Sequence, residues 1–171
     1  MTHRLTTDRL TLRRVRPSDL DALHGIFRLP EAMRYWSTPA HADIAETGAW
    51  LDRWLSAGPD RGSDDFIIER DGRVIGKAGA WRLPEVGFML HPDDWGQGYA
   101  SEAMRAVIAH LLATHQVPRL TAEADPRNTA SLNLLARLGF TETHRAEKVF
   151  QWGDEWCDSV YFALQRPGAR D

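Results

Sequence analysis

Apolar and polar positions in the first third of the chain predict one strand followed by two helices. Residues 9–15 place Leu10 and Leu12 between polar neighbours, as in a half-buried strand. A helix is predicted next, because Pro17 precedes apolar residues at helical spacing over 20–27. A second helix follows a loop over residues 28–41 that is rich in aromatic residues and prolines, the aromatic loop. Its apolar stripe is expected to contain Ile44, Thr47, Leu51 and Leu55, with Trp50 and Trp54 at its edge.

The middle of the chain predicts an antiparallel meander followed by a crossover. Three apolar runs lie between residues 65 and 90, and the Asp-Gly pair at 71–72 is typical of a hairpin turn. A clean amphipathic helix is predicted over 100–112, and a strand over 119–124. A strand–helix–strand segment of this length usually joins parallel strands, so we expect strands 85–90 and 119–124 to be parallel.

The last third of the chain predicts a short helix and a terminal hairpin. Asn128 is a suitable N-terminal cap for this helix, and Gly139 is a suitable stop. Strands are predicted over 147–152 and 155–164, on either side of the turn at 153–154. The elements together predict a mixed sheet with helices packed on it.

Composition limits the class of protein. The 171 residues, 43% of them apolar, suffice for one domain over 1–171 with a single core. The net charge is −3 without a basic stripe, so a nucleic-acid partner is not expected. No apolar run approaches the roughly 20 residues that span a bilayer, and the first residues do not resemble a signal peptide. Cys157 is the only cysteine, so no internal disulfide is expected. From the absence of a spanning run and of a signal peptide, we expect a soluble cytoplasmic protein without a membrane partner.

The segment HPDDWGQGYASEA, residues 91–103, is the strongest candidate for a binding loop. A helix that begins near Ser101 exposes backbone N–H groups and attracts anions, and glycines at 96 and 98 would let a phosphate approach closely. A tight turn without a ligand is the alternative. Walker A is excluded because Tyr99 and Ala100 follow Gly98, and the dinucleotide fingerprint fits poorly because Ser101 stands where glycine or alanine is needed.

The segments LHPDDWGQGYASEA and DPRNTASLNLLARLGF, separated by one helix and one strand, resemble the acetyl-CoA signature of the GNAT superfamily of N-acetyltransferases. The Rim-type branch is the most similar, and TTDRLTLRRVRPSDLDAL and GDEWCDSVYFAL extend the resemblance over nearly the whole chain. The resemblance implies an α+β fold with a mixed, mostly antiparallel sheet of about seven strands. It also implies about four helices on both faces, and parallel strands 85–90 and 119–124 that splay around acetyl-CoA.

The resemblance implies that acetyl-CoA is a co-substrate and that no metal is needed. Backbone N–H groups of the loop would bind the pyrophosphate: Gly96, Gln97, Gly98, Tyr99, Ala100 and Ser101. The pantetheine arm would pair with backbone near Phe88, Met89 and Leu90, and Asn128 would contact it besides capping its helix. His110 and His115 are five residues apart without the H-E-x-x-H spacing, so a zinc site is not expected.

Acetyl transfer to an amine needs a base, because an alkylammonium cannot attack until it loses a proton. The resemblance places Glu85 like the acidic residue that the family often uses as base, generally through water. A solvated glutamate at a strand edge is the alternative, and Glu123 is a second candidate base. The tyrosine acid of many relatives is replaced by Leu135, whereas Ser131 matches a serine near the sulfur. Ser131 could instead satisfy N–H groups in the first turn of its helix.

The resemblance implies that the acceptor enters between the aromatic loop and the last hairpin. Tyr35, Trp36, Trp81 and Trp152 are the candidate acceptor-binding residues, together with Trp156. We expect transfer to a primary amine, either a protein N-terminus or a small amine, by direct attack in a ternary complex. A catalytically idle acyl-CoA-binding domain is the alternative. A monomer or homodimer is expected.

Overall fold

The computed structural model describes residues 4–168, in which eight strands form one sheet in the order β1-β2-β3-β4-β5-β6-β8-β7. The strands are β1 (Arg4–Thr6), β2 (Thr11–Arg13), β3 (Asp64–Arg70), β4 (Arg73–Arg82), β5 (Glu85–Leu90), β6 (Arg119–Ala124), β7 (Thr141–Trp152) and β8 (Glu155–Gln165). The helices are α1 (Leu20–Phe27), α2 (Pro30–Met33), α3 (Ile44–Ser56), α4 (Tyr99–Thr114) and α5 (Thr129–Arg137). The sheet thus has one strand more than predicted, and α2 adds a helical turn inside the aromatic loop.

β5 and β6 form the one parallel pair among residues 4–168, as the crossover predicted. They share a single register pair, Glu85 with Thr121, and a hydrogen bond from the Thr121 N–H to the Pro84 carbonyl at 2.9 Å. Beyond this pair the two strands separate, whereas β4 continues to pair with β5, and β8 with β6. A gap therefore opens in the sheet toward the C-terminal ends of β5 and β6.

Helices cover both faces of the sheet. α4 and α5 pack on one face in a first core that contains Met104, Leu111 and Leu135. α1, α2 and α3 pack on the other face in a second core with Ile67 and Met89. The faces alternate along β5, since Val86 and Leu90 belong to the first core.

The apolar stripe of α3 differs from the prediction. Ile44 and Leu55 are 43% and 36% exposed, whereas Thr47, Leu51 and Trp54 are buried. The Trp54 ring lies 5.4 Å from the ammonium of Lys77 on β4. The helix is rotated because the large Trp54 ring packs toward the sheet, and a count of aliphatic positions alone misses this.

Asp64, at the start of β3, is almost fully buried and joins three elements. Its carboxylate accepts hydrogen bonds from Arg14 at 2.6 Å, His110 at 2.9 Å and His115 at 2.6 Å. Burial by itself would raise the pKa of Asp64, but the hydrogen bonds from His115, Arg14 and His110 outweigh it and lower the pKa below its usual value. The ionised carboxylate therefore stabilises the folded chain.

We expect Asp64→Asn to lower the free energy of unfolding by about 3 kcal/mol at neutral pH, because it removes a buried anion and leaves its three half-buried partners without it. A carboxyl whose pKa is lower when folded stabilises above its unfolded pKa, near 4, and loses that contribution as the pH falls through its folded pKa. The stability difference between parent and variant should therefore shrink in strong acid. Urea unfolding across pH measures this, with exposed Asp60→Asn as control; a constant difference would contradict the linkage.

Candidate active site

The glycine loop between β5 and α4 has the backbone geometry of an anion site. Gly96 and Gly98 have φ angles of +72° and +81°, in the left-handed region that favours glycine. Gly98 is the N-terminal cap residue of α4, and no side chain hydrogen-bonds to the N–H groups of the first turn as a cap. A Cβ atom at Gly96 would meet nothing within 4 Å. The loop thus offers free N–H groups and open space at the positive end of a 16-residue helix.

Arg9, in the turn between β1 and β2, supports the glycine loop, and the sequence did not indicate this contact. Its guanidinium contacts Glu102 at 2.6 Å and the Gln97 carbonyl at 2.9 Å, and it lies 4.5 Å from the centre of the Tyr99 ring. Thr7 also donates a hydrogen bond to Glu102 at 2.6 Å. Burial opposes ionisation of Glu102, but the bonds from Thr7 and Arg9 lower its pKa. Glu102 thus has a structural role, through which the turn between β1 and β2 fixes the loop.

The pleat of β5 decides which backbone groups face the gap. His91 N–H bonds to the Ile75 carbonyl, so Leu90 and Gly76 form a non-hydrogen-bonded pair, and so do Phe88 and Ala78 two residues earlier. The N–H and C=O groups of Phe88 and Leu90 therefore point away from β4, toward the gap. Met89 differs from the prediction in this respect, because its backbone groups face β4 and its side chain belongs to the second core.

Trp95 forms a hydrogen bond with one of these gap-facing backbone groups. Its indole Nε1–H donates to the Leu90 carbonyl at 3.0 Å, while half of the side chain stays exposed. Phe88 therefore presents both its N–H and its C=O to the gap, and Leu90 presents its N–H.

The start of α5 lies directly after β6, on the other side of the gap. Asn128 caps this helix, with its side-chain oxygen accepting the Ser131 N–H at 3.2 Å, as predicted. Ser131 is half-buried in the first turn, and Leu135 is buried in the first core. The N-terminus of α5, the Asn128 amide and the Ser131 hydroxyl thus lie shortly after the end of β6.

A groove of about 390 Å³ runs along β6 on the face opposite the first core. It is lined by Glu85, Arg119, Thr121, Ala122, Glu123, Thr143, His144, Tyr161, Phe162 and Ala163. Both candidate bases therefore share one cavity. Glu123 accepts a hydrogen bond from the buried Ser159 hydroxyl at 2.5 Å. Glu85, by contrast, has no hydrogen-bond or ion-pair partner within residues 4–168.

Tyr161 and His144 complete the wall of the groove, and the sequence did not single out either of them. Their rings stack with centres 4.3 Å apart and planes 8° from parallel. Burial raises the pKa of the Tyr161 hydroxyl, and the charge of Glu123 raises it further. Tyr161 therefore remains a neutral hydroxyl at physiological pH. Both residues come from the terminal hairpin, and only the strand order β6-β8-β7 brings them to β6.

The aromatic loop and the last hairpin contact each other directly. The Trp152 indole donates to the Met33 carbonyl at 3.3 Å, and the Arg34 guanidinium lies 5.2 Å from the Tyr35 ring centre and 5.5 Å from that of Trp152. Arg34 also pairs with Glu155 of the hairpin at 3.5 Å. Tyr35 and Trp152 are thus brought together around one guanidinium.

The other aromatic candidates lie elsewhere. Trp36 packs against the second core, with its ring centre 5.4 Å from the Lys77 ammonium. Trp81 is 49% exposed at the end of β4, where the guanidinium of Arg82 lies 4.8 Å from its ring centre. Trp156 is 55% exposed on β8. Of the five predicted aromatic residues, the structure therefore brings two, Tyr35 and Trp152, into contact with Arg34.

Within residues 4–168, no group of three or more His, Cys, Asp or Glu side chains could hold a metal ion. No helix in this part of the chain has both the length and the apolar character to cross a membrane.

Comparison with known proteins shows similarity over most of the chain. Residues 9–141 match the family model described as Acetyltransferase (GNAT) domain. The uncharacterized N-acetyltransferase p20 of Bacillus licheniformis is 30% identical over 146 residues, covering 80% of this chain and 81% of that protein. The ribosomal protein uS5-alanine N-acetyltransferase of Escherichia coli (strain K12) is 27% identical over 177 residues, covering 96% and 91%.

A solved structure shares the fold. The RimL ribosomal L7/L12 alpha-N-protein acetyltransferase, in complex with coenzyme A, superposes with a TM-score of 0.84 at 17% identity. The match covers 95% of this chain and 98% of that chain. The mixed sheet with one parallel pair is therefore the architecture of GNAT acetyltransferases.

Proposed function

The chain belongs to the GNAT acetyltransferase family, and we propose that it transfers the acetyl group of acetyl-CoA to the primary amine at the N-terminus of a protein or peptide. The observation that carries the proposal is the gap between β5 and β6, which leads from the glycine loop to a groove with two carboxylates. The uS5-alanine enzyme and RimL are named for acetylating protein N-termini, which supports this class of acceptor over a small amine.

The fit to acetyl-CoA follows from the gap and the loop. N–H groups of residues 96–101 would bind the pyrophosphate, since both glycines have positive φ and no side chain caps the helix. The gap-facing groups of Phe88 and the N–H of Leu90 would pair with the pantetheine amides. Asn128 would contribute from the other side of the gap. An N–H of this strand would also stabilise the oxyanion that develops on the thioester carbonyl.

Glu85 would take the proton of the attacking amine, directly or through one water. Its carboxylate is unpaired within residues 4–168, whereas that of Glu123 already accepts the Ser159 hydroxyl. An amine that loses its proton attacks the thioester carbon, a C–N bond forms, and the C–S bond breaks to release the thiolate. The Ser131 hydroxyl would hydrogen-bond this sulfur as its charge develops. Tyr35 and Trp152 would close the site at the hairpin end, beyond Glu123, and Trp36 and Trp81 would contribute only at its periphery.

A thiol-release assay with acetyl-CoA over a panel of peptides and small amines tests the proposed function. We expect turnover with peptides that carry a free N-terminus, and none with the same peptides blocked by N-terminal formylation. Release of coenzyme A should match the acetylated peptide detected by mass spectrometry. Binding of acetyl-CoA without turnover on any acceptor would instead identify an idle acyl-CoA-binding domain.

A further inference from the structure

The groove along β6 carries opposite charges at its two ends. Leu120 and Ala122 point into the first core, so Arg119, Thr121 and Glu123 line the opposite face in sequence. Four residues of strand separate Arg119 from Glu123, a distance of about 13 Å between Cα atoms. The groove thus has a negative end and a positive end that lie well apart.

The negative end is the end nearer to the gap. β5 and β6 pair only at Glu85 and Thr121 and then separate toward their C-terminal ends. Glu123 lies two residues beyond this pair in the direction of the gap, and Arg119 lies two residues before it. A reacting amine would therefore be held near Glu85 and Glu123, with the rest of the acceptor extending toward Arg119.

The positive end has a guanidinium available to a ligand. Arg119 is exposed at the first position of β6, where its backbone pairs with Gln165. No carboxylate of residues 4–168 forms an ion pair with its side chain. Two arginines at the opposite, hairpin end of the site are paired, because Arg34 and Arg127 both contact Glu155.

We propose that the groove selects peptide acceptors with an acidic side chain at the third or fourth residue, which Arg119 binds while the N-terminal amine lies at Glu85 and Glu123. An extended peptide advances about 3.4 Å per residue, so its fourth residue lies about 10 Å from the amine, and an aspartate or glutamate side chain spans the remainder. A free α-amino acid is too short to reach both ends. A polyamine would place a second cation beside Arg119.

This inference rests on the proposed function, because it concerns the acceptor of the same site. The experiment uses peptides of about six residues that begin with alanine and differ at the fourth residue, which is glutamate, glutamine or lysine. We expect kcat/KM to be about fivefold higher for glutamate than for glutamine, the size of a partly exposed ion pair, and lowest for lysine. The preference should weaken at high salt, since screening reduces the attraction between exposed charges.

Variants of Arg119 test the contact itself. Arg119→Gln should remove the preference, so that kcat/KM becomes equal for the glutamate and glutamine peptides, and Arg119→Glu should reverse it in favour of lysine. Arg28→Gln, which removes an exposed arginine at the end of α1, is the matched control and should keep the preference. Equal kcat/KM values for all three peptides, or a preference that survives Arg119→Gln, would overturn the proposal.

Equilibrium binding separates this proposal from the proposed function. The same peptides are titrated into the protein saturated with coenzyme A, which cannot transfer acetyl. Stronger binding of the glutamate peptide that depends on Arg119, without any turnover on acetyl-CoA, would support the groove and contradict the proposed function. If turnover occurs but neither kcat/KM nor binding depends on the fourth residue, the result would support the proposed function and contradict selection by Arg119.

Discussion

Replacing Gly98 with valine should weaken acetyl-CoA binding by about a hundredfold or more, because a β-branched residue at positive φ strains the backbone by about 1–3 kcal/mol and moves the loop. The φ angle of Gly98 is +81°, and a Cβ atom there would lie 3.4 Å from the Arg9 guanidinium that holds the loop. Calorimetric titration with acetyl-CoA measures the loss, and circular dichroism checks the fold.

The control for Gly98→Val is a glycine with the same conformation in another turn. Gly72, between β3 and β4, has a φ angle of +77° and open space around its Cβ position. Gly72→Val should lower stability by a similar backbone effect while leaving acetyl-CoA affinity unchanged. If Gly98→Val binds acetyl-CoA as the parent protein does, the phosphates do not lie on this loop.

Glu85→Gln should reduce kcat by about a hundredfold near neutral pH, the usual contribution of a general base, with little change in acetyl-CoA affinity. The defect should be largest at low pH, where nearly all of the amine is protonated and a base is most needed. It should shrink above about pH 9, where a peptide α-amine of pKa near 8 is mostly unprotonated. Rates measured across pH at saturating acetyl-CoA give this profile.

Glu123→Gln is the matched comparison, since it removes a carboxylate from the same groove. We expect it to raise the KM for the peptide more than it lowers kcat, because Glu123 is already hydrogen-bonded by Ser159 and would act in holding the acceptor. The reverse pattern, with the pH-dependent loss of kcat in Glu123→Gln and none in Glu85→Gln, would transfer the role of base to Glu123.

Features encoded within a short stretch of sequence were predicted well. The Asp-Gly pair at 71–72 forms the hairpin turn, with both residues at positive φ, and Asn128 caps α5. The crossover through α4 also followed from local periodicity, because its length and handedness leave few alternatives. The start of α4 just after Gly98 belongs to this group, since helix start and glycine spacing are both local signals.

Features that depend on strand order were not predicted. Tyr161 and His144 reach the groove only because β8 lies between β6 and β7, and no local pattern shows this order. Arg9 contacts Glu102 across 93 positions of sequence. The predicted buried face of α3 was wrong for a related reason. The sheet surface beneath the helix accepts Trp54, whereas Ile44 and Leu55 remain exposed. Local patterns specify elements, whereas contacts between distant elements determine which side chains meet.

The separation of β5 from β6 also has a thermodynamic consequence for the whole protein. A sheet normally satisfies the backbone groups of its interior strands, but here the N–H and C=O of Phe88 face the gap, where a molecule such as acetyl-CoA would pair with them under the proposed function. Such a molecule binds only the folded chain, so at a hundred times its Kd it would raise the free energy of unfolding by about 2.7 kcal/mol. The thermal stability of this protein in a cell would then depend on the concentration of acetyl-CoA, and it would be lower where acetyl-CoA is scarce.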